Sequence, residues 1–416
     1  MSRALPDMPL ESILSTLIDY RGKTPTKSLS GVKLITAKVI KGGRIEDGNH
    51  EFIAEADYDS WMRRGLPQQR DILITTEAPL GEVAMLRSAE KVALAQRVIL
   101  LRANGQLADQ DYLFQALKSP LVQARLYARG TGTTVLGIKQ SELRQVEIPM
   151  PPLPTQRRIA SILSAYDDLI ENNTRRIGIL EEMARRIYEE WFVRFRFPGH
   201  EGVRMVESEL GLVPEGWRVT ALGQLAEVNA RSVRRGAERT EIRYVDISSV
   251  STGSIDNKEW MLFADAPGRA RRIVRDGDVI WACVRPNRKS YALVVDPEPN
   301  LLVSTGFAVL SPMSAPSSFI YQCVTTDDFV SHLVNHAKGA AYPAVSADDF
   351  ENAKVLKPAS DLVTAFDRIA EPMMRLVAIL QVKNANLRTT RDLLLPKLIS
   401  GELDVSSISE PEALAA

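Results

Sequence analysis

The chain has 416 residues, 45% of them hydrophobic, and its 52 Lys and Arg balance its 52 Asp and Glu. This length suffices for two to four domains with real cores, which excludes a disordered protein. Apolar runs such as DVIWACV are far shorter than the roughly 20 residues that cross a bilayer, and no signal-peptide pattern opens the sequence. We therefore expect a soluble, cytoplasmic protein without membrane contact. The only cysteines, Cys283 and Cys323, exclude a disulfide scaffold and a four-cysteine zinc site.

Near the start of the chain, the stretch DYRGKTP contains the Gly-Lys-Thr of a phosphate-binding loop. A Walker loop needs a second glycine five residues before the Gly-Lys pair, because the intervening amides curl around the phosphates. Leu17 occupies that position, and Pro25 follows where a helix should begin. The sequence therefore predicts no nucleotide phosphate site at Lys23.

The second half of the sequence follows the first at an offset close to 207 residues. RDILITTEAPLGE from Arg70 aligns with GDVIWACVRPNRK from Gly277, and each is an apolar strand-like run followed by a proline-containing loop. At the same offset, TTVLGIKQSELRQVEIPMP from Thr133 aligns with AAYPAVSADDFENAKVLKP from Ala340. One offset that holds across separate segments indicates an internal duplication. The GTGTT stretch at Gly130 is typical of a flexible turn, although it could equally approach a DNA backbone.

A helix-like segment follows each half, with Thr155 and Ser360 as candidate N-cap residues. Spacings of three and four residues form a coiled-coil seam in both segments. Its members are Ile170, Asn173, Ile177, Leu180, Ala184, Ile187 and Trp191 in the first segment, and Val377, Leu380, Asn384, Leu387, Arg391, Leu394 and Leu398 in the second. A single amphipathic helix would by default pack on its own domain, but two matching seams favour helices that pair with each other. Pro372 predicts a short helix, a kink and then a long helix.

These features predict an α/β protein with a pseudo-two-fold internal duplication, in which two long antiparallel coiled-coil helices separate two globular α/β domains. We expect a first domain at 1–152, a first helix at 153–197, a linker at 198–215, a second domain at 216–358, a second helix at 359–401 and a flexible acidic tail at 402–416.

The local charge, the catalytic motifs and the histidine pair of the sequence bear on its function. From Val228 to Ser290 there are 13 Arg and Lys against 8 Asp and Glu, a local positive excess of the kind that pairs with phosphates. The chain contains no Asn-Pro-Pro or Pro-Cys methyltransferase motif and no Glu-x-Lys of a metal-dependent nuclease. Its single Asp-x-Lys, from Asp256 to Lys258, is too short a motif to indicate a nuclease site by itself. His332 and His336 lack a nearby third ligand, so no metal site is predicted. These absences favour a protein that is not an enzyme.

Four segments occur in an order that resembles the specificity subunits of type I restriction-modification systems. They are PPLPTQRRIASIL, LEEMARRIYEEWFVRF, LVPEGWRVTALG and RDLLLPKLISGEL, and the resemblance covers essentially the whole chain. The opening RGKTP, with Lys23, also looks like a loop near the start of the first target-recognition domain in that family.

The resemblance implies a non-catalytic subunit whose two target-recognition domains each read one half of an asymmetric, bipartite site in double-stranded DNA. The two helices would act as a ruler. The 21 steps from Ile170 to Trp191 span about 31 Å, close to one turn of B-DNA. Family members dock two modification subunits, which methylate adenine, and also recruit restriction subunits, which are ATP-dependent endonucleases. S-adenosylmethionine, ATP and Mg²⁺ are thus implied for the partners, and no cofactor for this chain.

Residues that would contact DNA follow from side-chain chemistry, since Lys and Arg pair with phosphates while Arg and Asn can read base edges. The loops Glu77 to Glu82 and Val284 to Lys289 are the candidates for base reading. The full set of candidate DNA contacts is Lys23, Lys41, Arg44, Arg231, Arg234, Arg235, Arg271, Arg272, Arg285, Asn287, Arg288 and Lys289.

Two other functions compete with this prediction. A coiled-coil adaptor whose globular domains bind proteins explains the seams and the zero net charge, but it leaves the basic excess of the second domain unexplained. A self-sufficient modification enzyme would require a catalytic site that the sequence does not reveal.

Overall fold

The computed structural model describes residues 5–20, 24–46, 48, 50–234 and 240–406. The chain divides into two compact units. Unit 1 comprises Met1–Glu171 together with Ala385–Ala416, and unit 2 comprises Asn172–Asn384. The division falls inside both long helices, so each unit contains a segment of each helix. The predicted acidic tail lies outside the described residues from position 407 onward.

The helices repeat at the offset predicted from the sequence. The α-helices are Tyr58–Trp61, Gln110–Lys118, Pro120–Ala128, Gln140–Arg144, Leu153–Tyr188, Ser317–Thr325, Asp327–His336, Ala347–Glu351 and Ser360–Ile399. Gln110–Lys118 and Ser317–Thr325 are equivalent, because 317 minus 110 is 207. The N-caps repeat as well, since Ser119 accepts a hydrogen bond from the Val122 amide and Thr326 accepts one from the Phe329 amide. The duplication is therefore confirmed.

Each unit contains two four-stranded sheets. In unit 1 their strand orders are Leu14–Asp19, Val98–Ala103, Ile72–Thr76, Leu80–Met85 and Val92–Leu94, Val32–Ile35, Glu51–Ile53, Lys27–Ser28. In unit 2 they are Ala226–Val228, Phe307–Pro312, Val279–Ala282, Tyr291–Leu293 and Glu259–Leu262, Glu241–Val245, Leu301–Ser304, Ala270–Ile273. One pair in the second sheet of each unit is parallel, and the other pairs are antiparallel.

Five two-stranded pairs complete the set of strands in the described residues. They are Asp7–Pro9 with Glu147–Pro149, Ile40–Lys41 with Arg44–Ile45, Met205–Ser208 with Gly211–Pro214, Arg218–Ala221 with Lys354–Lys357, and Val250–Ser251 with Ser254–Ile255.

Apolar runs form the central strands because both faces of the first sheet are covered. In the strand Val98–Ala103, Ile99 and Leu101 point into a core shared with the helices, while Val98 and Leu100 point into a core shared with the second sheet. Alternation of side chains along a strand produces this division. In unit 2, Trp281 likewise points into the core shared with the helices, and Ile280 points into the core shared with the second sheet. Each unit is thus built of helices, a sheet and a second sheet.

The long helices run antiparallel within each unit, as predicted. In unit 2, Asn173 donates to Asn384 at 3.0 Å, and further along the Tyr188 ring lies 5.9 Å from Phe366. Residue numbers therefore increase along one helix in the direction in which they decrease along the other. In unit 1, Asp167 contacts Arg391, and the core around Leu163 includes Leu395 and Leu398.

Two details of these helices correct the sequence predictions. Ser360–Ile399 is one continuous helix, so the predicted division at Pro372 is wrong. Pro372 lies on the exposed side of the helix and has no backbone N–H to donate. Phe366 before it and Met374 after it are buried in the core of unit 2, which keeps the helix in place on both sides of the proline. The first helix begins at Leu153, before Thr155, because proline fits the first helical turn and Pro154 is included in it. A π-helical turn, Glu189–Val193, follows its end. Among the described residues, no helix is long and apolar enough to span a membrane.

Candidate nucleic-acid interface

A short loop leaves the central strand Val279–Ala282 of unit 2 and contains four of the predicted DNA contacts. This exit loop, residues 284–289, begins and ends its 3-10 turn with left-handed backbone, at φ 53° for Arg285 and 52° for Lys289. The Lys289 amide donates to the Pro286 carbonyl at 3.0 Å and closes the turn. Asn287 and Arg288 at its tip are exposed. The loop is therefore tightly constrained while it presents two polar side chains to solvent.

The two basic residues at the ends of this loop already have partners. The guanidinium of Arg285 lies over the Tyr342 ring at 4.9 Å, a cation–π contact that limits where this charge can point. Lys289 Nζ forms an exposed ion pair with Asp327 at 2.7 Å. Exposed pairs of this kind contribute little to stability and exchange readily for other anions.

A second loop, which we name the hairpin loop (residues 338–344), lies against the exit loop. Lys338 and Ala344 exchange two backbone hydrogen bonds of 2.9 Å at its base. The Arg285 amide donates to the Pro343 carbonyl at 2.7 Å, which joins the two loops. The sequence alone indicates only a flexible turn at the equivalent place in the first half, because its strand pairing is limited to single bridges.

Unit 1 has loops at the two equivalent positions. Its hairpin loop, residues 131–137, is closed by two hydrogen bonds of 2.7 and 2.9 Å between Thr131 and Gly137, as in unit 2. Its exit loop, residues 77–82, differs in backbone, since it has a cis Ala78–Pro79 peptide bond and its last three residues belong to the strand Leu80–Met85. Gly132 has φ 123°, and a Cβ there would lie 2.2 Å from the Val135 carbonyl oxygen, so this turn requires glycine. Glu77 pairs with Arg97 at 2.7 Å beside a cleft of about 340 Å³.

The aspartate that opens each central strand has a structural role. Asp278 is buried and binds Arg231 at 2.7 Å, while Ser311 accepts a second bond from the same Arg231 nitrogen at 2.9 Å. In unit 1 the equivalent Asp71 is buried and holds Arg102 through two bonds of 2.7 Å. The charge of Arg231 is therefore already balanced within the fold, and less of it is available to a phosphate.

Two other basic candidates of unit 2, Arg271 and Arg272, lie on the strand Ala270–Ile273 of its second sheet. Arg272 donates to Ser232 at 3.1 Å, and burial lowers the pKa of Arg272. Arg272 also interacts electrostatically with Cys283, which directly precedes the exit loop and whose pKa burial raises to about 11. Arg271 lies 5.3 Å from the Phe263 ring, and Arg234 is exposed. Arg234 follows Val233, whose amide donates to the Arg271 carbonyl, so Arg234, Arg271 and Arg272 form one basic patch.

In unit 1, Lys41 and Arg44 face each other across the small hairpin Ile40–Lys41 and Arg44–Ile45. Lys41 is exposed and pairs with Glu46 at 3.0 Å. Two further candidates, Lys23 and Arg235, lie outside the described residues.

The helix residues chosen from the seam lie on the faces that the helices bury. Ile170, Val377, Leu380 and Leu398 are buried, whereas Ile177, Leu180, Ile187, Trp191, Leu387 and Leu394 are half-buried. The polar residues that interrupt the two seams contact each other in unit 2. Asn384 accepts a hydrogen bond from Asn173 at 3.0 Å and donates one to Thr174 at 3.2 Å.

Unit 1 contains a buried ionic cluster that the sequence does not predict as a whole. Asp167 accepts from Arg391 at 2.7 Å, from Gln115 at 2.8 Å and from Lys118 at 3.1 Å. Burial by itself would raise the pKa of Asp167, but Lys118, Gln115 and Arg391 outweigh it and the pKa falls below its usual value. Burial also lowers the pKa of Lys118 despite the nearby carboxylate.

Known proteins resemble this chain in both sequence and fold. Residues 63–182 match the family described as "Type I restriction modification DNA specificity domain". The MjaIX specificity subunit of Methanocaldococcus jannaschii is 26% identical over 81% of this chain and 78% of its own length, and the MjaVIII specificity subunit of that organism is 22% identical over 82% and 81%. The crystal structure of a type I S subunit from M. genitalium has a TM-score of 0.60 with 18% identity, and the match covers 95% of this chain and 96% of that one.

Proposed function

We propose that this chain is a specificity subunit of a type I restriction-modification system, the non-catalytic subunit that reads an asymmetric, bipartite site in double-stranded DNA. Each of the two units would read one half-site. The observation that carries this proposal is the repeated hairpin loop, which is closed by the same backbone hydrogen bonds in both units and carries unlike side chains. A duplicated scaffold with diverged loops suits a target with two different halves.

The exit loops supply the chemistry for base reading. In unit 2, Arg285, Asn287 and Arg288 offer the donors and acceptors that recognise guanine and adenine edges in the major groove. In unit 1 the equivalent loop offers Glu77, and a carboxylate can accept from the cytosine amino group. The basic patch with Arg234 and Arg272 would contact phosphates, which position the lobe without reading sequence.

The two long helices would act as the ruler between half-sites. Each is continuous, over Leu153–Tyr188 and Ser360–Ile399. A helix has a fixed rise per residue of about 1.5 Å, which makes helix length a defined spacer. The hydrogen bond between Asn173 and the buried Asn384 supports this role, because a polar pair at a seam penalises any shift of register.

Two modification subunits, and optionally restriction subunits, would dock on this chain and supply adenine methylation and ATP-dependent cleavage. In unit 2 the outward sides of the helices expose Ile179, Met183, Ile379 and Val382. Within each helix the two exposed apolar residues are about one turn apart, a spacing typical of a helix face that another protein covers.

The test is to co-express the full chain with its neighbouring modification subunit in a methylation-free host and to map methylated adenines by single-molecule sequencing. We expect a gapped motif with two unlike halves that disappears when this chain is omitted. A soluble complex without methylation, or a motif that persists without this chain, would contradict the proposal and favour the adaptor function.

A further inference from the structure

The tip of each hairpin loop carries an exposed apolar side chain at an equivalent position. Val135 and Tyr342 are separated by 207 residues, and their side chains are 51% and 69% exposed. Beside each tip a glycine with positive φ, Gly132 or Gly339, turns the backbone. Both units hold an apolar side chain in water on a constrained backbone, and this exposure costs stability. We infer that the side chain contacts a ligand.

The main chain holds both tips beside the residues predicted to read bases. In unit 2 the Val345 amide donates to the Cys283 carbonyl at 3.0 Å, and in unit 1 the equivalent Ile138 amide donates to Thr76 at 2.9 Å. Each hairpin loop is therefore bonded directly to the segment that enters its exit loop. A DNA base pair read by one loop would lie within reach of the other.

The neighbours of the two tips differ in chemistry at equivalent positions. Tyr342 packs against the guanidinium of Arg285, whereas Val135 lies at the cleft that contains the Glu77–Arg97 ion pair. In unit 2 the positions equivalent to Glu77 and Arg97 hold Val284 and Ser304, and in unit 1 the position equivalent to Arg285 holds Ala78. The two hairpin loops, which are closed by the same backbone hydrogen bonds, thus present two different recognition surfaces.

DNA fits these surfaces better than a protein partner does, because the two joined loops of unit 2 carry several cations. Arg285 contacts the Tyr342 ring, and Arg288 and Lys338 are exposed in the same two loops. These cations suit a polyanion. The major groove offers an apolar partner in the thymine methyl group, and aromatic rings pack on exposed base faces. Arg285, held in a fixed direction by the tyrosine ring, would be ready for the paired acceptors of guanine.

We propose that Val135 and Tyr342 are specificity-determining residues, each of which contacts the bases of one half-site: Val135 meets a thymine methyl group, and Tyr342 packs on a base while it orients Arg285. This inference rests on the proposed function. It extends base reading from the exit loops to the hairpin loops and assigns one residue in each lobe to one half of the target.

The experiment compares methylation motifs of full complexes that contain Tyr342→Ala, Tyr342→Phe, Val135→Ala or the wild-type chain. Met313→Ala is the matched control, since Met313 is an exposed apolar residue of the same unit. It follows Pro312, at the end of the strand Phe307–Pro312 that lies away from the exit loop. We expect Tyr342→Ala to raise methylation at sites with one altered base in a single half by roughly 10-fold or more. Val135→Ala should relax the other half, and Tyr342→Phe and Met313→Ala should keep the wild-type motif.

Three results would overturn the inference. Unchanged motifs and rates in both alanine variants would show that the tips do not contact bases. Equal loss in both halves with Tyr342→Ala would indicate a structural role. Absence of any motif that depends on the wild-type chain would remove the proposed function itself, and the wild-type arm distinguishes that failure from the other two.

Discussion

Asp167 is the residue on which the ionic cluster of unit 1 depends. Only 12% of its side chain is exposed, and both of its oxygens accept bonds, from Arg391 on one side and from Gln115 and Lys118 on the other. At the same offset in unit 2, Met374 takes the place of Asp167 and Thr325 that of Lys118. The two units therefore solve the same packing problem differently, one with charges and the other with largely apolar contacts.

We predict that Asp167→Asn lowers the free energy of unfolding of unit 1 by about 3 kcal/mol at neutral pH, because Lys118 loses its carboxylate and Arg391 keeps only the exposed Asp392. Asp168→Asn is the matched control: its side chain is 64% exposed, and we expect a change of at most about 0.5 kcal/mol. Hydrogen exchange in the strands Ile72–Thr76 and Val98–Ala103 measures both variants.

The same pair of variants predicts a pH dependence. Because the pKa of Asp167 is lowered on folding, its stabilising contribution is complete above the unfolded-state value of about 4 and is lost as the pH falls through the folded-state value. The wild-type chain should therefore lose more stability than Asp167→Asn between neutral pH and about pH 3. Parallel stability curves for the two chains would show that the cluster contributes nothing.

At the exit loop of unit 2 we predict that Arg285→Ala and Arg288→Ala relax one half-site only. Each well-placed arginine-to-guanine contact discriminates by about 1–3 kcal/mol, and both side chains belong to a single loop. Lys258→Ala is the control, since Lys258 is a surface lysine of the same unit that pairs with Glu298. Methylation mapping measures the outcome, and equal loss in both halves would mean that these arginines serve folding or general affinity.

At the scale of whole elements, the long helices connect sequence periodicity to a proposed length. Their seam positions match at the 207-residue offset, and in unit 2 the pairing of Asn173 with Asn384 fixes one register. A heptad is the unit that can be added without turning the seam away from its partner. Helix length and helix pairing can thus be varied separately.

We predict that one extra heptad in both helices, after Leu180 and after Val377, lengthens the unread spacer of the target by about three base pairs. Seven residues add about 10.5 Å, and each base-pair step is about 3.4 Å. Seven residues inserted after Gly199, beyond the first helix, form the control and should leave the spacer unchanged. A spacer of wild-type length in the helix variant would exclude the ruler.

Periodic features could be predicted from the sequence, whereas contacts between distant residues could not. The 207-residue offset and the seam spacings gave the equivalent helices, because buried faces repeat at the helical period. The bond between Arg231 and Asp278 spans 47 residues, and no local pattern encodes it. The hairpin loops escaped prediction for a related reason: single bridges, glycine conformation and bonds to residues 76 and 283 define them, rather than any strand-like run.

At the scale of the whole molecule, the end of the second long helix belongs to the core of unit 1. Leu395, Leu398 and Ile399 are buried there with Ile159 and Leu163. Unit 1 is therefore discontinuous in sequence, while unit 2 is one continuous segment.

We predict that Leu398→Ala destabilises unit 1 by about 2–5 kcal/mol, as expected for a buried leucine. Leu393→Ala, at an exposed position of the same helix, should change stability by at most about 0.5 kcal/mol. Hydrogen exchange should show lost protection in Ile72–Thr76 but not in Val279–Ala282. Loss in the second strand alone would contradict the assignment of this helix end to unit 1.

The discontinuity of unit 1 has a consequence for the order of folding during synthesis. Ribosomes release residues from the N-terminus onward, and domains generally fold as their segments emerge. Unit 2 has all its residues once Asn384 has emerged, whereas the core of unit 1 still lacks Leu395 and Leu398. The lobe that is translated first is therefore the last to be completed, and its nascent apolar surface must wait for the final turns of the second helix.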